Sequence, residues 1–186
     1  DFWDAVLDAC ADLAGRPQLV RGNSQLLFGG MGRLTEHSVI SIKNKSHSVT
    51  ADISVPDAGA AGVIVAQGGM WGGWSLYAKD GKLKYCYNLL GHKTWFAESE
   101  QPIPAGARQV RVEFAYDGGG IGKGGLATLF IDGQNVGSGR VEEVRVEIEA
   151  AVDDARVVGV TPVDRQPTAR HRCRHRRRCV TMHERG

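Results

Sequence analysis

The densest gathering of metal-ligating side chains in this 186-residue chain is the segment HRCRHRRRCVTMH, with His171, Cys173, His175, Cys179 and His183. Zinc is held by thiolates and imidazoles, so Cys173, His175, Cys179 and His183 form a candidate donor set. Two features oppose it. The C-x5-C spacing is longer than structural zinc sites use, and six arginines from Arg170 to Arg178 repel a cation. A second motif, Gly120, Gly122 and Gly125, matches G-x-G-x-x-G. Cradling a pyrophosphate requires a strand before that motif and a helix after it, whereas here a strand-like run follows. Lys123 is followed by glycine, not by serine or threonine, so a phosphate-binding loop also fails. Asp80, Asp117 and Asp132 each precede glycine, a placement that turn geometry explains. No serine nucleophile elbow and no HExxH pair is present. The remaining candidates are Trp71 and Trp95, aromatic rings on which a sugar could stack, set against the ordinary use of tryptophan in packing.

Composition narrows the classes further. The formal net charge is +2, but eight arginines and one glutamate from Arg165 onward carry +7, leaving residues 1–164 acidic by five charges. An acidic body with a short basic tail does not read as a specific nucleic-acid-binding domain. No apolar stretch is long enough for a transmembrane helix. The start, DFWDAVLDAC, has no positively charged leader and no initiator Met, so a fragment or processed chain is expected. Cys10, Cys86, Cys173 and Cys179 are scattered rather than arranged as a disulfide framework, which points to a reduced, cytoplasmic chain.

The elements that must position any site are short and extended. The stretch GGMWGGWSLYAKDGKLKYCYN, residues 68–88, centres on Asp80-Gly81 between two alternating runs. Such a pair favours a two-residue type I′ hairpin. Setting Lys79 opposite Lys82 puts Trp74 across from Tyr87, Leu76 from Tyr85 and Ala78 from Leu83, all on one face. Further strands are expected at Leu26–Phe28, Ser38–Ile42, Ser48–Val55 and Gly62–Gln67, the last an apolar run buried on both faces. Trp95 and Phe96 suggest a short strand, and Gln109–Tyr116 alternates throughout. A second Asp-Gly hairpin at Asp132-Gly133 pairs Leu129 with Val136, and Val144–Val152 alternates as a strand would, or as a helix. Residues 4–14 have helical spacing, with Cys10 on the apolar face, and Gly15 and Pro17 close the helix.

The expected fold is therefore mainly β, an antiparallel two-sheet sandwich of the jelly-roll kind with a short N-terminal helix. The division is a helix and linker over 1–20, a sandwich over 21–160, and a basic, disordered tail over 161–186.

Several segments resemble the C-terminal region of bacterial arylsulfatases: DLAGRPQLVRGNSQLLFGGMGRL, SIKNKSHSVTADI, GVIVAQGG, GGWSLYAKDGKLKYCYNLLG and QVRVEFAYDGGGIGKGG with its IDG hairpin. The resemblance runs from about Asp12 to Arg140 and implies a concanavalin- or laminin-G-like sandwich following an α/β catalytic domain. It also implies that the formylglycine and calcium of the family belong to that catalytic domain. No cysteine or serine here stands in a C/S-x-P-S-R motif, since Cys10 precedes ADLA and Cys86 precedes YNLL. No catalytic residue or cofactor is therefore assigned to this chain, which is expected to be inactive by itself. Beyond Arg140 the texture departs from the family, as a shifted reading frame, the favoured reading, or a genuine divergence would make it. The implied partners are a sulfatase catalytic domain, a separate catalytic subunit, or a carbohydrate or sulfated ligand.

Overall fold

The computed structural model describes residues 19–20, 22–31, 34–35, 38–69, 72–144, 155–156 and 179–184. They form two antiparallel sheets. The strands are β1 (Ser24–Phe28), β2 (His47–Val55), β3 (Gly62–Gly69), β4 (Gly72–Lys79), β5 (Lys82–Leu89), β6 (Lys93–Pro102), β7 (Gly106–Tyr116), β8 (Gly125–Ile131), β9 (Gln134–Val141), β10 (Ala155–Arg156) and β11 (Cys179–Glu184). One sheet has the order β1-β11-β2-β7-β8-β9 and the other β10-β3-β4-β5-β6. The sandwich expected from the sequence is the fold observed. The helix expected over 4–14 lies outside the described residues. No helix among the described residues is long and apolar enough to cross a membrane.

The central hairpin has the register its turn dictates. Asp80 and Gly81 both have positive φ, 56° and 76°, as a type I′ turn requires. Trp74 pairs with Tyr87, Leu76 with Tyr85 and Ala78 with Leu83. Because directly paired residues share a face, this lays one apolar surface against the other sheet. That sheet answers with Val49, Ala51, Val110, Val112, Ala127 and Leu129, each almost wholly buried. At the β6–β9 side the sheets approach so closely that a Cβ on Gly137 would collide with the Glu98 carbonyl, and one on Gly139 with that of Phe96.

Four expectations are corrected. Ser38–Ile42 is not a strand. Val39, Ile40 and Ile42 are all buried, and the Gln25 side chain replaces a ladder, donating to the Ser38 carbonyl at 2.8 Å and accepting from Ile40 N at 2.9 Å. Leu129 pairs with Gly137, not Val136, because a bulge between Leu129 and Phe130 shifts the register by one. β3 is not buried on both faces: Val63 and Ala66 are half-exposed. A bulge there turns the consecutive Ile64 and Val65 inward. Finally, part of the tail expected to be disordered is a strand. β11 lies between β1 and β2, with Val180 and Met182 3% and 1% exposed. The alternation of valine and methionine supplies inward side chains, and both neighbours supply hydrogen bonds. The run Val144–Val152 is described only at Val144, which is buried.

One polar contact in the core carries a prediction. The bulge between Lys82 and Lys84 leaves the Leu83 amide to the Ser99 hydroxyl, which accepts from it at 3.0 Å and donates to the Gln101 carbonyl at 2.7 Å. Ser99 is fully buried. Ser99→Ala orphans a buried N–H and is expected to cost about 1–3 kcal/mol in urea denaturation. An unchanged midpoint would show that another group takes over.

Candidate functional site

The register assembles the site. In one sheet His47 pairs with Phe114, which pairs with Ala127, which pairs with Gly139. In the other, Gln67 pairs with Trp74, Trp74 with Tyr87, and Tyr87 with Trp95. These two inward rows face each other near one end of the sandwich, one layer out from the aliphatic centre. Between them opens a pocket of about 60 Å³ lined by Ile42, Lys43, Asn44, His47, Gln67, Gly73, Trp74, Tyr85, Tyr87, Phe114 and Val144. That is room for a few water molecules or the end of a larger ligand.

The walls are mostly aromatic. The His47 ring stacks on Phe114 with centroids 5.3 Å apart and lies tilted to Trp74 at 6.4 Å. Trp74 in turn stacks on Tyr85 at 6.2 Å. The indole N–H of Trp74 donates to Gln67 Oε1 at 3.1 Å. Gln67 is itself buried, so this bond fixes which end of its amide is committed. Its carbonyl serves Trp74, and its NH₂ is what it offers elsewhere.

His47 is 5% exposed. Its Nδ1 lies 3.0 Å from the Lys45 carbonyl, which can only accept, so Nδ1 carries the proton. Nε2 is therefore a bare lone pair, buried and without a hydrogen-bond partner among the described residues. Burial holds the imidazole pKa down, from 6.5 to about 4, so the ring is neutral at pH 7. The Tyr85 phenol, fully buried, is pushed well above its ordinary range and stays protonated.

The pocket rim is tied down at Asn44, which has φ 52°. Its Oδ1 accepts from Gly122 N at 3.0 Å. The Tyr116 hydroxyl donates to the Gly120 carbonyl at 2.5 Å and accepts from Lys123 N at 3.0 Å. Asp117 forms a bidentate ion pair with Arg140. The glycine-rich loop thus buttresses the rim, with the Gly120 carbonyl and the Gly122 and Lys123 amides bonded to Tyr116 and Asn44.

Of the sequence candidates, Trp71 lies outside the described residues. Trp95 is half-buried and points into the inter-sheet row beside Tyr87, ring centroids 6.4 Å apart, rather than presenting an open platform. The β5–β6 register sets that direction by pairing it with Tyr87. Lys93 Nζ sits 5.9 Å from the Trp95 ring and 3.5 Å from Glu143 Oε2, closing the outer side. Phe96, one residue on, is the ring that faces outward, 59% exposed. Cys173 and His175 lie outside the described residues. The backbones of Cys179 and His183 lie in β11, and their side chains lie outside the described residues. No group of three or more His, Cys, Asp or Glu that could hold a metal gathers among the described residues. His47 and Gln67 were not found by motif reading. The signal available for His47 was its place one step ahead of the alternating Val49, Ala51, Ile53 and Val55.

Comparison with protein-family models and with curated protein sequences gives no match. Among solved structures the chain is similar to the LG1-3 region of the laminin alpha2 chain, with TM-score 0.47 and 14% identity over 87% of this chain and 30% of that one. It is similar to domains LG4-5 of the mouse laminin alpha1 chain, with TM-score 0.44 and 15% identity over 88% and 39%. Caenorhabditis elegans galectin LEC-6 gives TM-score 0.40 and 8% identity over 87% and 96%. The chain spans less than half the length of either laminin structure.

Proposed function

We propose that this chain is a ligand-binding module, not a catalyst, and that it takes the end of a carbohydrate or similar ligand into the pocket between His47 and Trp74. The observation that carries this reading is the cleft of about 60 Å³ between the sheets, walled by His47, Trp74, Tyr85, Tyr87 and Phe114. Aromatic walls of this kind offer a ligand large contact area together with the polar tips of Tyr and Trp. Tyr87 forms part of the wall, and Trp95 positions it from the next strand. Joined to a sulfatase catalytic domain, as the arylsulfatase-like segments suggest, or docked on a separate catalytic subunit, the module would supply attachment and the other partner the chemistry.

The test is a titration of isotope-labelled protein with a panel of neutral oligosaccharides. Saturable shifts at Gly73, Trp74, Tyr87 and Val144 are expected, and Tyr87→Ala should weaken binding by roughly three- to tenfold. Shifts absent throughout the panel, or confined to the outer sheet faces, would contradict the reading.

A further inference from the structure

Resting on that reading, we infer that the pocket has a gate: Glu142–Val144 is a strap across its end, with Val144 as the plug and the Lys93–Glu143 ion pair as the latch. The strap starts from a fixed point. β9 ends at Val141, paired with Gly125. Gly124 packs against that end so closely that a Cβ on it would stand 2.3 Å from the Val141 carbonyl oxygen and 2.5 Å from that of Glu142. The next strand, β10, begins at Ala155 beside Gln67, a pocket residue of the other sheet. The chain leaving β9 therefore sets out across the end of the sandwich that holds the pocket. Val144 is 8% exposed and lines that pocket.

The other walls are held more firmly. His47 and Phe114 stand on β2 and β7, and Trp74, Tyr85 and Tyr87 on β4 and β5, each a strand with a hydrogen-bonded neighbour on both sides. Asn44 is bonded to Gly122 and Tyr116. The strap has left its ladder. Among the described residues, Val144 N donates to the Lys123 carbonyl at 3.2 Å, and Glu143 Oε2 meets Lys93 Nζ at 3.5 Å. Both distances are at or beyond the long end for a hydrogen bond. The ion pair joins side chains 45% and 52% exposed, so water and salt compete for it. A weakly tethered segment beside a site is where local opening occurs. This wall parts at the least cost, Val144 leaves the pocket with it, and the end of the ligand takes its place.

The first readout needs no ligand. Amide hydrogen exchange on the full chain follows the Val144 N–H, which is protected while the strap is closed. Glu143→Gln removes the charge of the latch and is expected to speed that exchange about two- to fivefold, leaving the buried Val110 and Val112 amides unchanged. Raising salt from about 0.02 M to about 0.5 M should do the same to the parent and little to the variant. A ligand that replaces Val144 has an apparent affinity that scales with the open fraction, so neutral oligosaccharides bind Glu143→Gln tighter by the same factor. A Val144 amide indifferent to both the substitution and salt overturns the gate and leaves the binding-module reading standing. Faster exchange with unchanged affinity does the same. Faster exchange with no oligosaccharide bound overturns the reading, and the gate with it.

Discussion

Deleting residues 179–186 unfolds the sandwich at neutral pH, and Met182→Asp brings it most of the way there. β11 is an interior strand, paired with β1 through Ser24–Phe28 and with β2 through His47–Ala51. Its removal strips β1 of its partner in the described sheet, turns β2 into an edge, and opens the face where Leu27 and Val49 are 1% and 0% exposed. Val180 and Met182 alone contribute about 1.5–3 kcal/mol each by burial. Truncating a buried methionine to alanine costs about 2–5 kcal/mol, and putting a carboxylate there costs more. Set against a total stability of about 5–15 kcal/mol, the deletion is not survivable. Urea denaturation of the full chain, the Met182→Ala and Met182→Asp variants, and the truncated chain measures this. A truncated chain with the parent midpoint would show that β11 does not belong to the fold.

The second large effect is the share of acid destabilisation that His47 contributes. His47 has its pKa lowered from 6.5 to about 4 by burial, so the unfolded chain takes up the proton first as pH falls. Stability is therefore complete above pH 6.5, declines as pH falls toward about 4, and the decline levels off below that. The total is roughly 3 kcal/mol, from about 1.4 kcal/mol for each unit of displacement. Lys43 and the neutral Tyr85 phenol line the same pocket, and Glu184 is the Cα partner of His47 on β11. Carboxylates titrate at the lower end of the same window, so the quantity to compare is the parent minus His47→Phe. The difference in unfolding free energy is expected to shrink steadily from pH 6.5 to about 4. A constant difference would show that His47 is not buried in its neutral form.

Much of the frame is legible in the residues. Asp-Gly turns demand positive φ, and the alternation on either side of Asp80-Gly81 then admits one register, which sets Trp74 opposite Tyr87. The same logic failed by one residue at Asp132-Gly133. There Gly137 must lie against the Glu98 carbonyl, and that contact, invisible locally, selects a bulge. Ser38–Ile42 misled because a side chain thirteen to fifteen residues away, Gln25, does the work of a neighbouring strand. Among the described side chains of β11, Val180 and Met182 are the buried ones, set in an arginine-rich segment with too little periodicity to overrule composition. The site was least legible of all. Two of its polar residues come from different sheets, His47 at the head of one strand and Gln67 near the end of another, and only the packing of the sheets brings them into one pocket.

The account turns on the state of one imidazole, and the nitrogen spectrum of the His47 side chain followed from pH 8 to pH 3 reads it directly. The predicted result is a neutral ring with its proton on Nδ1 and a bare Nε2 at pH 7, titrating only near about 4. A proton on Nε2 at neutral pH, or titration at the ordinary 6.5, would contradict it.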